Sequence, residues 1–143
     1  MEENKIETIE KEFALYRLRE VDIEDMKLKI KELQLCDNLS SPSFDERVQT
    51  SQSCRNNDYV MNQISSLKSK IELYEMRNKK IDNSMKLLED YEREIIVKLL
   101  IDKKSISRTA AELFKSRKSI KKIRDRAILK IRYIWFGHSK GNS

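Results

Sequence analysis

Glycine, proline, cysteine and histidine are nearly missing from this chain, which has two, one, two and one of them in 143 residues. Three Gly and Pro residues encode too few tight turns for a sandwich, a barrel or a hairpin-rich sheet. The lone His138, beside Gly137, leaves no histidine-based triad and no multi-histidine metal site. Cys36 and Cys54 stand apart with no CxxC spacing and no neighbouring His, so they supply no zinc set and are taken as reduced and incidental. No apolar run approaches the roughly 18 residues of a membrane span. The N-terminal MEENKIETIEKEF is too acidic for a signal peptide, so a cytoplasmic protein without a membrane partner is expected. Neither GxxxxGK(S/T) nor GxGxxG occurs to cradle a phosphate. The many carboxylates read as solvated or paired along helices. No enzyme, no cofactor and no metal site is expected.

What is abundant is charge, and it is unevenly placed. Residues 1–102 carry 17 basic and 22 acidic side chains, a net of −5, whereas residues 103–143 carry 13 and 2, a net of +11. A solvated basic tail is the plainer account of such a segment. Its regularly spaced apolar residues favour instead a folded domain that binds a polyanion.

Helical rhythm organises the rest. Ile6, Ile9, Phe13, Tyr16, Ile23, Met26, Ile30 and Leu33 advance mostly by three and four, interrupted at Glu20, and predict a helix over 5–35. Residues 36–58, rich in Ser, Asn, Asp and Gln and holding the only Pro, read as a long polar loop. Val60, Ile64, Leu67, Ile71, Tyr74, Asn78, Ile81, Met85 and Leu88 then alternate steps of four and three, a coiled-coil seam of about four heptads with one polar member. Asn78 there either fixes register from a buried position or is solvated at a frayed edge. The two stripes can cover each other as an antiparallel hairpin or pair between two copies in a homodimer; the sequence leaves both open. A domain change is expected near 89–90, with Asp90 as a helix N-cap, although one continuous helix through to residue 101 is also compatible.

After residue 90 the pattern predicts short helices. Residues 91–101 form the first; Ser105 or Ser107 caps a second, with Ile106, Ala110, Leu113 and Phe114 facing inward. Lys115 and Ser116 make the turn, and Ser116 caps a third helix to about residue 135, held down by Ile120, Ile123, Ala127 and Ile131. The opposite face carries Arg117, Lys118, Lys121, Lys122 and Asp125. Small Ala110 lets the two helices cross closely. Trp135 and Phe136 are expected to close the core. This is the layout of a helix-turn-helix whose last helix enters a major groove. Lys121, Lys122, Arg124 and Lys115 or Arg108 would hold phosphates, and Arg117 with Lys118 would reach base edges.

Ser105, Ala110, Leu113, Ser116, Ser119, Ile120, Ile123, Arg126 and Ala127 fall at the spacings of sigma-70 region 4, and Glu92-Arg93 with Ile95-Ile96 resembles the first helix of that module. The whole chain resembles small phage and prophage regulators of the RinA/ArpU type. The resemblance implies an N-terminal helical hairpin or coiled coil over 1–89 with a loop at 36–58, a helix-turn-helix over 90–136 and a tail over 137–143. It also implies promoter DNA as partner, activation of late phage genes, contact with RNA polymerase, and DNA contacts from Arg117, Lys118, Lys121 and Lys122 with Ser116 at the cap. Ser119 belongs to the same motif and completes the DNA-binding set. Arg108 stands where that family commonly has Glu, and nothing resembles a promoter-melting region, so a regulator rather than a complete sigma factor is expected. Two alternatives remain. One is a small terminase subunit that recognises a packaging site. The other is a protein-interaction module acting through its N-terminal helices.

Overall fold

The structure, a computed structural model, describes residues 2–40 and 46–137, with side chains over 4–36 and 57–137. The fold is all-helical, with no strand among the described residues. The α-helices are α1 (Glu2–Ala14), α2 (Tyr16–Ser40), α3 (Glu46–Met85), α4 (Asp90–Ile96), α5 (Ile106–Leu113) and α6 (Arg117–Arg132). Single π-helical turns, Val97–Ile101 and Tyr133–Gly137, prolong α4 and α6.

Both apolar stripes are covered. Ile64, Ile71, Asn78, Ile81 and Leu88 are buried, and Val60, Leu67, Tyr74 and Met85 half-buried. In the first stripe Ile9 and Phe13 are buried, Ile6, Tyr16, Ile23, Met26, Ile30 and Leu33 half-buried, and Glu20 exposed. Asn78 is the buried polar member, and its Nδ2 donates to the Tyr16 carbonyl at 3.1 Å. That contact sits at a break the sequence did not signal. The helix expected over 5–35 is interrupted at Leu15, whose N–H turns back to the Glu12 carbonyl at 3.2 Å.

The long loop expected over 36–58 is corrected. Residues 36–40 and 46–58 are helical, and only 41–45, which include the single Pro, lie outside the described residues. Polar side chains lower helix propensity by only tenths of a kcal/mol each, and 46–58 hold neither Gly nor Pro to stop propagation.

The compact units also divide differently from the boundary expected at 89–90. One consists of Met1–Leu18 with Asn78–Ser143, the other of Arg19–Arg77. In the first, Ile9 and Phe13 of α1 share a core with Ile81, Leu88, Ile96, Leu100, Ile101, Ala127, Ile128 and Ile131. The physical reason is size. Three short helices after residue 90 bury too little apolar surface on their own, and α6 is apolar on more than one side, so α1 covers what α4 and α5 leave open. Trp135 and Phe136 pack against this core, Trp135 lying 6.0 Å from the Phe13 ring and donating Nε1–H to Ser84 Oγ at 3.2 Å. In the second unit, Lys27 Nζ meets Glu75 Oε2 at 3.7 Å, tying α2 to α3.

Helix α4 starts one residue earlier than expected. Glu89, not Asp90, is the N-cap, and its N–H donates to Glu92 Oε1 at 2.9 Å in a capping box. Glu92 is fully buried, and the same oxygen accepts from Lys130 Nζ at 2.8 Å, tying α4 to α6. Burial pushes the Glu92 carboxyl up, but the bonds from Lys130 and the Glu89 N–H outweigh it and hold the group below its ordinary value.

Candidate nucleic-acid interface

Helices α5 and α6 are joined by three residues, 114–116. Ser105 Oγ accepts from the Arg108 N–H at 3.0 Å and so caps α5; Ser107 does not. Ser116 Oγ accepts from the Ser119 N–H at 3.0 Å and caps α6. Both serines act because a short hydroxyl can reach back to an unpaired amide of the first turn. At the end of α5, Phe114 takes a left-handed conformation (φ 55°, ψ 43°), and the Lys115 N–H closes onto the Ala110 carbonyl at 3.0 Å. Glycine usually fills that position, because a Cβ there is strained.

Phe114 corrects an expectation. Placed inward by the sequence pattern, it is 94% exposed. The left-handed backbone that reverses the chain also swings its side chain off the apolar stripe. The inward set is Ile95, Ala110 and Ile120, all buried, with Leu99, Ile106, Leu113 and Ile123 packed around them. Ala110 of α5 shares this core with Ile95 of α4 and Ile120 of α6, and its small side chain lets α5 and α6 approach closely.

Burial of Ile120, Ala127, Ile128 and Ile131 fixes which side of α6 faces outward. Lys118, Lys121, Lys122 and Asp125 recur at steps of three and four on the exposed side, with Arg117 exposed in the first turn. Among the described residues, no acidic side chain pairs with Arg117, Lys118, Lys121 or Lys122. Lys115, in the link, is exposed and likewise has no ion pair among them. Ser119 is half-buried and contributes its N–H to the cap.

The other two expected contacts are engaged. Arg108 Nε donates to Glu112 Oε2 at 3.3 Å, one turn along α5. Arg124, half-buried, donates from Nε and Nη2 to Asp125 Oδ1 at 3.1 and 3.0 Å. Neither is an uncommitted cation.

Glu112 gathers more than Arg108. Lys98 Nζ reaches Oε1 at 3.0 Å, and Lys104 Nζ lies 3.1 and 3.2 Å from its two oxygens. The hydrogen bonds from Lys98 and Lys104 lower the Glu112 carboxyl to about 2, and its hydrogen bond and charge raise Lys98 above the ordinary lysine value. Three cations share one carboxylate beside α5. Lys98 and Lys104 were missed in the sequence because residues 14 and 8 positions from Glu112 show no local periodic signal.

Among the described residues, no group of His, Cys, Asp and Glu could hold a metal ion, and no helix is long and apolar enough to cross a membrane. A cationic helix face with capped ends can hold phosphate oxygens and offer long donors to base edges. Comparison with family models, curated proteins and solved structures finds no match.

Proposed function

We propose that the chain is a sequence-specific regulator of transcription acting on double-stranded promoter DNA in the bacterial cytoplasm, with α5, the link and α6 as its helix-turn-helix. The single observation that carries this is the outward side of α6: Arg117, Lys118, Lys121 and Lys122 are exposed and paired with none of the described acids, as are Lys115 and Arg126 beside them, whereas Lys98, Lys104, Arg108, Arg124 and Lys130 each meet a carboxylate. Helix α6 enters the major groove in this reading. Lys121, Lys122 and Lys115 hold phosphates, and Arg117 with Lys118 at the start of the helix reach base edges. The resemblance to RinA/ArpU-type regulators adds phage or prophage late-gene activation and contact with RNA polymerase.

Selection of a preferred duplex from a random pool by the full chain tests the proposal. Arg117→Ala is expected to relax preference at one base pair by about 1–3 kcal/mol while leaving other positions alone. An equal loss on every sequence would assign Arg117 to the backbone. Failure of the full chain to bind any duplex at low salt would overturn the proposal.

A further inference from the structure

Phe114 is out of place twice over. Its backbone is left-handed (φ 55°), a conformation that glycine adopts freely and that a residue with a Cβ resists. Its ring is 94% exposed, whereas no other large apolar side chain among the described residues exceeds 63%. An exposed apolar side chain alone is ordinary. A strained one is not, unless its ring returns something to the fold. The apolar contact that often accompanies a left-handed helix cap is not made, since a ring so exposed touches little of α5. Lys103, the other non-glycine residue with a positive φ among the described residues (58°), ends in an ammonium that water suits. Strain kept without a return in folding points to a contact made with a partner.

The surroundings say what kind of partner. Residues 113–124 hold six Lys and Arg and no acid, and Lys115, next along the chain, is exposed and has no ion pair among the described residues. Arg117 and Lys118 follow at once. Consecutive Cα atoms are about 3.8 Å apart, so whatever covers the ring also meets these charges. A neutral apolar surface would bury them uncompensated, at high cost. A nucleic-acid strand suits both groups, because its phosphates alternate with deoxyribose, whose carbons are apolar. The ring has no donor or acceptor with which to read a base edge, and it adjoins the residue proposed to hold a phosphate.

We infer that the Phe114 ring packs on a deoxyribose of the DNA strand whose phosphate Lys115 holds, and so seats the start of α6 in the groove. This rests on the DNA reading of α5 and α6, and adds to it a contact that is apolar and blind to sequence.

Fluorescence anisotropy of the full chain with a labelled duplex, over a salt series, tests it. Phe114→Gly and Phe114→Asn both suit a left-handed backbone and both remove the ring. Each should bind about four- to tenfold more weakly on every duplex alike, the effect of uncovering about half of a buried ring. The plot of log K against log salt should shift without changing slope, because an apolar contact releases no counterion. Phe114→Tyr and Phe114→Leu keep apolar surface and should restore most of the affinity. Hydroxyl-radical footprinting, which reads attack on deoxyribose, should show a sugar that the unsubstituted chain protects and Phe114→Gly exposes. Unchanged affinity in both variants, with the unsubstituted chain still binding, overturns this contact and leaves the DNA reading standing. No binding by the unsubstituted chain overturns both. A loss confined to Phe114→Gly would assign the effect to flexibility of the link, a flattened slope to displacement of Lys115, a loss at one base pair to base readout, and a lowered denaturant midpoint to packing within the fold. Each of these would overturn the inference.

Discussion

Replacing Lys121 and Lys122 by Ala should change the salt dependence of DNA binding by a countable amount. Among the cations proposed to hold phosphates, Lys115, Lys121 and Lys122 are exposed and without an acid partner among the described residues, whereas Arg108 and Arg124 are held by Glu112 and Asp125. Each phosphate neutralised on B-DNA contributes about 0.9 to the fall of log K with log salt, so three give a slope near −2.7, about a 40-fold loss between roughly 50 and 200 mM. With Lys121 and Lys122 gone, the slope should flatten to about −0.9 and the loss to about three- or fourfold over the same range. Arg108→Ala and Arg124→Ala should flatten it less, because their guanidinium groups must first leave a carboxylate. Fluorescence anisotropy with a labelled duplex over a salt series measures all of these. A slope near zero in the unsubstituted chain, or one unchanged by the double substitution, would refute the assignment of this face to phosphate.

Two further perturbations read the link and the carboxylates. Phe114→Gly should stabilise the chain by about 1 kcal/mol, since it removes a strained left-handed Cβ (φ 55°) and sacrifices little packing from a ring 94% exposed. A lowered denaturant midpoint would mean that the ring packs against something after all. Glu112 has a folded value of about 2 against an ordinary 4.5, and Glu92 is lowered too, so both contribute stability above the ordinary value that is lost as pH falls through the folded one. Denaturant midpoints should therefore drop between about pH 4.5 and 2, and Glu112→Gln should make that drop shallower; an unchanged profile would show that the Lys98, Lys104 and Arg108 contacts stabilise nothing.

Local signals made part of this molecule legible. The steps of three and four from Val60 to Leu88 mark side chains that are all buried or half-buried, because a helix repeats its faces whatever it packs against. Ser105 and Ser116 could be read as caps because the hydrogen bond spans only three residues. What escaped depends on distant partners or on backbone geometry. No residue near Leu15 announces the break between α1 and α2, where Asn78 of α3 meets the Tyr16 carbonyl. Phe114 has the right spacing to face inward, and only its left-handed φ turns it out. The composition of 46–58 looked like a loop, yet nothing there forbids a helix. The gathering of Lys98, Lys104 and Arg108 on Glu112 joins the end of α4's π-helical turn to α5, a juxtaposition that periodicity within either element does not encode.

The union of α1 with the basic helices bears on how the function can be dissected. A chain cut at residue 90 would retain all of the proposed DNA contacts, and on sequence grounds it would be the natural DNA-binding fragment. It would lack Ile9 and Phe13, both fully buried against the core that includes Ile128 and Ile131, and it would lack Ile81 and Leu88 as well. Losing one buried Ile costs about 2–5 kcal/mol and one buried Phe about 3–5, so α1 alone contributes an amount comparable to the roughly 5–15 kcal/mol that hold a typical domain folded. Residues 90–143 alone should therefore show no cooperative thermal transition by circular dichroism and no DNA binding, even though every cation is present. Deleting the N-terminal helices would abolish the proposed DNA binding by unfolding the unit, whatever else those helices do. The two roles can be separated only by substitutions at exposed positions that leave Ile9 and Phe13 in place. A 90–143 fragment that melts cooperatively and binds as tightly as the full chain would show that α1 is dispensable to the unit.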